Sequence, residues 1–174
     1  MNELGERMTQ FVNHLRSLAR SGQEDRGALA DLRSGLGSEP GHAPRMHKHV
    51  VPYLGERESA ADRWFYVAGA MFGAHSEHAQ GNTMGKCFRQ LRENGSESME
   101  GRFAALIAAH PNDLPKHLAH AVGMLKSKDI RLDYYRLLSD LMSWSDPERR
   151  VQNRWARDFY RRTDNTEQGG NEVE

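Results

Sequence analysis

Six arginines stand within the eighteen residues "SDPERRVQNRWARDFYRR" (145–162), in a chain of 174 residues whose 24 basic and 24 acidic side chains cancel formally. A guanidinium presents a planar fork of donors that matches phosphate or carboxylate, so arginines at helical spacing are the residues expected where a chain holds an anionic polymer. With 100° per residue, Val151, Trp155 and Phe159 fall at about 0°, 40° and 80°, an apolar stripe, while Arg150, Arg154, Arg157 and Arg161 fall at about 260°, 300°, 240° and 280°. The spacing predicts a ridge of four arginines set away from the buried face, with Glu148 and Asp158 as the nearby acids. A solvated surface explains a basic helix face as well, but like charges three and four residues apart repel by a few tenths of a kcal/mol per pair. A surface kept only for solubility mixes in acids.

A second basic face lies in "LPKHLAHAVGMLKSK" (114–128), which contains no Asp or Glu. Leu118, Ala121, Val122 and Leu125 form its buried stripe, and Lys116, His120, Gly123 and Ser127 lie opposite. Lys86, Arg89 and Arg92 in "GKCFRQLRE", Arg26 and Arg33 in "RGALADLR", and Arg102 in "GRFAAL" extend the set. Together they point to a distributed track for a phosphate backbone, electrostatic and independent of sequence. The aromatic residues Trp64, Trp144, Trp155, Phe103 and Phe159 sit on apolar faces and are expected in the core, which leaves no evident base-stacking platform.

Other chemistry finds less support. His42, His47 and His49 gather in "HAPRMHKH", but Arg45 and Lys48 between them oppose a cation and no zinc-ligand spacing occurs. The single cysteine, Cys87, precludes an intramolecular disulfide and reads as a buried apolar residue. No nucleophile elbow, phosphate-binding loop or dinucleotide fingerprint is present. Asp133, Asp140, Asp146 and Asp158 do not converge as metal-binding carboxylates would, and are assigned to caps and ion pairs. The reading is therefore of a protein with no catalytic residues, metal or cofactor. It is also of a soluble, cytoplasmic chain: there is no signal segment, and the longest apolar run, "FYVAGAMFGA" (65–74), is half a membrane span.

The elements that must position these residues are helices throughout. Period-3.6 patterns begin at Leu4, resume over Leu29–Leu36 until Gly37, and run from Ala60 to His75 in a segment apolar around most of its circumference, which must be enclosed by other helices. Residues 38–49 read as loop and 50–59 as irregular. Further helices carry Met84–Leu91, then Met99–Ile107 capped by Ser96 or Ser98, Leu114–Leu125, and Tyr134–Leu141 starting near Asp133. Asp146 followed by Pro147 reads as the cap and first position of the last helix. The expectation is all-α: seven or eight helices in two small bundles, residues 1–95 and 96–162, forming an elongated subunit. A disordered acidic tail, 163–174, follows; its four acids leave residues 1–162 with 24 basic and 20 acidic side chains.

The segments "RGALADLRSGLG" (26–37), "WFYVAGAMFGAH" (64–75), "GNTMGKCFRQL" (81–91), "RFAALIAAH" (102–110) through "LDYYRLLSDLMSW" (132–144), and "RRVQNRWARDFY" (149–160) occur in the order of a known family. The sequence resembles the CasB family, the small subunit of the type I-E CRISPR surveillance complex Cascade, which acts in antiviral defence. The resemblance implies a non-catalytic subunit present in two copies, in contact with the large subunit, the backbone subunits and guide RNA, and bracing the target and displaced DNA strands of an R-loop. Mapped by motif, the matching basic positions are Arg26, Arg33, Lys86, Arg89, Arg102, Arg149, Arg150 and Arg154, with Arg157 on the same ridge. Where relatives can carry paired arginines, this chain has Ala119 and His120, and Lys116 one turn earlier offers a point charge instead. A structural adaptor, docking its basic faces on acidic patches of neighbouring proteins, stands as the alternative.

Overall fold

A computed structural model describes residues 2–95 and 98–162. The expected acidic tail, 163–174, and Ser96 as a cap lie outside these residues. Nine α-helices occur among the described residues: α1 Glu3–Leu18, α2 Arg26–Arg33, α3 His47–Val50, α4 Asp62–Ala74, α5 Met84–Glu93, α6 Met99–Ala108, α7 Leu114–Ser127, α8 Tyr134–Met142 and α9 Arg150–Tyr160. The all-α expectation holds, and there is no strand among the described residues beyond a single-residue parallel bridge between His78 and Leu132. The helix beyond the expected seven or eight is the one-turn α3, flanked by 3₁₀ turns at Pro44–Met46 and Val51–Tyr53. Both prolines stand in the first turn of a helical segment, where a missing N–H costs nothing, so a stretch read as loop is coiled instead.

Side-chain caps start four of the helices. Asn2, Asp25, Thr83 and Asp133 each accept a hydrogen bond from the backbone N–H three residues on, and so define the starts of α1, α2, α5 and α8. Ser98 precedes α6 without such a bond. The last helix departs from expectation: Asp146 and Pro147 form a turn, in which the Glu148 N–H donates to Asp146 Oδ1 at 3.1 Å, and Arg149 adopts φ 53° before α9 begins at Arg150.

α4 is buried from Trp64 to Gly73 and is enclosed by α2, α7 and α8. Two glycines allow backbones to touch. A Cβ at Gly73 would lie 2.7 Å from the Arg33 nitrogen, and one at Gly85 only 2.4 Å from the Trp155 carbonyl oxygen. These contacts lock α4 to α2 and α5 to α9. Helices pack across residue 95 in both directions: α8 lies on α1 and α4, whereas α5 lies on α9 and α6. The buried apolar residues form one contiguous cluster. Its aromatic pairs include Phe11 with Phe65 (ring centroids 5.2 Å apart), Phe72 with Tyr134 (5.0 Å), Phe103 with Phe159 (4.2 Å) and Trp144 with Trp155 (5.1 Å). Trp64, Trp144, Trp155, Phe103 and Phe159 are all buried, as the apolar faces require.

Candidate nucleic-acid interface

α9 carries the apolar stripe that its spacing predicts, with Val151, Trp155 and Phe159 at most 2% exposed. The arginines opposite do not form a free ridge. Arg150 pairs with Asp146 at 3.1 Å and with Glu148. Arg154 donates to Asp140, a carboxylate buried in α8 that also accepts from Trp155 Nε1 at 2.7 Å. Burial pushes the Asp140 pKa up, against the pull of the Trp155 hydrogen bond and the Arg154 charge. Arg149, turned by its left-handed backbone, donates to the Ile107 carbonyl at 2.6 Å and thereby caps the C-terminus of α6. Arg161 lies past the helix end, in extended backbone. Of the α9 ridge, Arg157 is exposed and makes no ion pair among the described residues. The expected ridge of four is thus corrected to one helical arginine.

α5 is similarly occupied. Arg89 pairs with Glu93 at 3.2 Å, Lys86 Nζ donates to the Gly81 carbonyl at 3.1 Å, and Arg92 stacks its guanidinium 4.5 Å from the centre of the Phe159 ring. Asp158 accepts from the Thr83 hydroxyl at 2.6 Å, so it serves the α5–α9 contact rather than screening arginines.

The basic face of α7 is free. Lys116, His120, Gly123 and Ser127 are exposed, and neither Lys116 nor His120 makes a side-chain hydrogen bond or ion pair among the described residues. Between α6 and α7 a groove of about 330 Å³ holds Arg102, His117 and His120 above Leu106 and Ala121, with no acid among the described residues of its lining. Arg102 rests its Nη1 3.2 Å from the Met124 sulfur and makes no ion pair among the described residues. At the other end of α7, Lys126 shares a groove with Arg26 and Arg33 on α2. That groove also contains Glu24, Glu77 and Asp129, which weaken its pull on an anion. Ten residues of helix separate Lys116 from Lys126, a run of about 15 Å. The structure therefore brings Arg102 and His120 into one groove with Lys116 one turn from His120 on α7, puts Arg26 and Arg33 at the far end of α7, and leaves Lys86, Arg89, Arg149, Arg150 and Arg154 on the α5–α9 side. His117 and Lys126 were not singled out from the sequence. Lys126 is turned about 80° from Lys116, off the face drawn from its neighbours, and this offset is what brings it to α2.

The histidine loop is spent on structure. Asp31 collects Arg45 at 2.9 Å, Lys48 at 2.9 Å and His49 at 3.1 Å, and Lys48 above all holds its carboxyl well below the usual range. His47 Nδ1 lies 2.8 Å from the Tyr66 hydroxyl. No group of three or more metal-binding side chains occurs among the described residues. Cys87 is fully buried, and burial pushes its thiol pKa up to about 12, leaving it unreactive at neutral pH. No helix among the described residues is long and apolar enough to cross a membrane.

Residues 28–160 match the sequence profile of the CRISPR-associated protein Cse2 family. A CRISPR-associated protein Cse2 from Thermus thermophilus is 33% identical over 150 residues, covering 84% of this chain and 86% of that protein. Among solved structures, a Cse2-family protein of the same organism superposes with a TM-score of 0.76 at 32% identity, over 88% of this chain and 97% of the other. A chain of a CRISPR RNA-guided surveillance complex superposes with a TM-score of 0.73 at 25% identity, over 91% and 94%.

Proposed function

The chain belongs to the CRISPR-associated protein Cse2 family, and from that premise we propose that it is the non-catalytic small subunit of a type I-E CRISPR surveillance complex, bracing nucleic acid by its backbone. In this role it sits with the large and backbone subunits and a second copy of itself around guide RNA, and stabilises the R-loop by holding the target and displaced strands during antiviral defence. Sequence reading belongs to guide–target pairing, so a brace needs cations in a row and no base code. The observation that carries the proposal is the groove between α6 and α7, which holds Arg102, His117 and His120 with no acid among its described lining residues, and Lys116 exposed one turn before His120 on α7. Arg26, Arg33 and Arg157 extend the track. Arg149, Arg150, Arg154, Lys86 and Arg89 serve it less, because each already answers a group of its own chain.

That same pairing favours a second reading, a structural adaptor, in which the α5–α9 side is a rigid docking face without nucleic-acid contact. The two separate in a reconstituted complex carrying Arg102→Ala, Lys116→Ala and His120→Ala together. The brace predicts normal assembly and a shortened R-loop lifetime. Normal assembly with an unchanged R-loop lifetime would replace the brace with the adaptor.

A further inference from the structure

Beside the free end of α7 lies the roomiest groove of those described, about 460 Å³, between α4, α7 and the loop 35–41. Its floor is apolar and buried: Met46, Val67, Ala70 and Met71 are each no more than 3% exposed. Tyr66 presents its ring to the groove, with its hydroxyl already engaged by His47, and the loop that closes the opposite side carries Gly37 and Gly41 at positive φ. Lys116 and His120, both exposed, form one edge, and His120 also lines the α6–α7 groove. Glu39 is the sole acid among the described residues of the lining.

An apolar hollow beside a basic edge has the chemistry of a nucleotide turned outward from a strand. The ring system needs a dry, flat-sided space, and its phosphates need cations at the rim. The volume lies within the roughly 300–1,000 Å³ of small-molecule sites and has room for one base with its sugar. Polarizable Met46 and Met71 line the same groove as the ring of Tyr66, a surface that accepts any base by contact, without a hydrogen-bond code. We infer that this groove takes one unstacked nucleobase from a strand whose phosphates run along the Lys116–His120 edge. The inference rests on the backbone reading and adds to it a base-tolerant pocket that Trp64, Trp144, Trp155, Phe103 and Phe159 do not provide.

Ala119, half-buried on α7 and lining the groove, gives the test. Ala119→Phe fills the hollow and leaves every cation in place, and Ala119→Leu, which fills less, is run beside it in case the larger ring disturbs packing. The full chain is titrated with a short single-stranded thymidine oligonucleotide and with a strand of equal length bearing abasic sugars, each over a salt series. The wild type is expected to bind the abasic strand roughly tenfold or more weakly, the effect of removing one stacked base. Both variants are expected to bind the two strands alike, with the salt dependence of the wild type. Equal wild-type affinity for the two strands, with a steep salt dependence, overturns the pocket and leaves the backbone reading standing. A base dependence that persists in both variants also overturns it, by placing the base elsewhere. Absence of salt-dependent binding to either strand overturns both.

Discussion

Arg154 is the ridge residue whose replacement separates folding from binding. Its side chain is 40% exposed, whereas the Asp140 side chain it meets is 3% exposed and carries a carboxylate that burial already disfavours. Removing one partner of a buried pair costs about 3–5 kcal/mol. The exposure of Arg154 and the retained Trp155 hydrogen bond reduce that to about 2–3 kcal/mol for Arg154→Ala. For a chain of this length, at about 2–4 °C per kcal/mol, the melting temperature should fall by about 5–10 °C. Asp140→Asn keeps an acceptor for Trp155 and removes the charge, so in that background Arg154→Ala should cost less than about 1 kcal/mol. Circular dichroism melts and urea titrations of the four proteins complete the cycle. A melting temperature for Arg154→Ala within a degree of wild type, or an equal loss in both backgrounds, would refute the assignment and return Arg154 to the pool of free cations.

Backbone contact and acid sensitivity give further outcomes. Gly85→Ala should destabilise by more than about 2 kcal/mol, because its Cβ meets the Trp155 backbone, whereas Gly123→Ala, with nothing within 4 Å, should stabilise by about 0.5–1 kcal/mol in urea titrations. Burial, and then the charge of His49, depress the His14 pKa; burial likewise depresses that of His78, with Asp133 opposing. The unfolded chain therefore binds these protons first, and stability present above pH 6.5 should be lost as the pH falls below it. His14→Phe, which retains an aromatic ring against Tyr53, should flatten part of that loss in melts between about pH 7 and 5. A second loss should follow below about pH 4, as Asp31 takes up a proton and releases Arg45, Lys48 and His49.

Helical periodicity made the fold legible because most of its signals are local. α4 could be placed at the centre from its own circumference, and the α9 stripe from simple angles, since each reports burial directly. Gln152 was the exception on α9: it is buried beside the stripe and donates to the Trp144 carbonyl at 2.8 Å, a partner eight residues away. The candidate site was legible as a set of cations and illegible as a set of free cations. Asp140 lies fourteen residues from Arg154, and Ile107 forty-two from Arg149, so nothing in helical spacing announces that these arginines are occupied. The α7 face could be read correctly because its freedom rests on the local absence of acids. Its partnership with Arg102 required the α6–α7 packing.

The most direct test of the backbone brace is the salt dependence of single-stranded DNA binding by the full chain, wild type against Arg102→Ala combined with Lys116→Ala. The account predicts a linear fall of log affinity with log salt whatever the base sequence, and a slope smaller by about 0.7 for each phosphate no longer neutralised, so about 1.4 in the double variant. Equal slopes for the two proteins would contradict it.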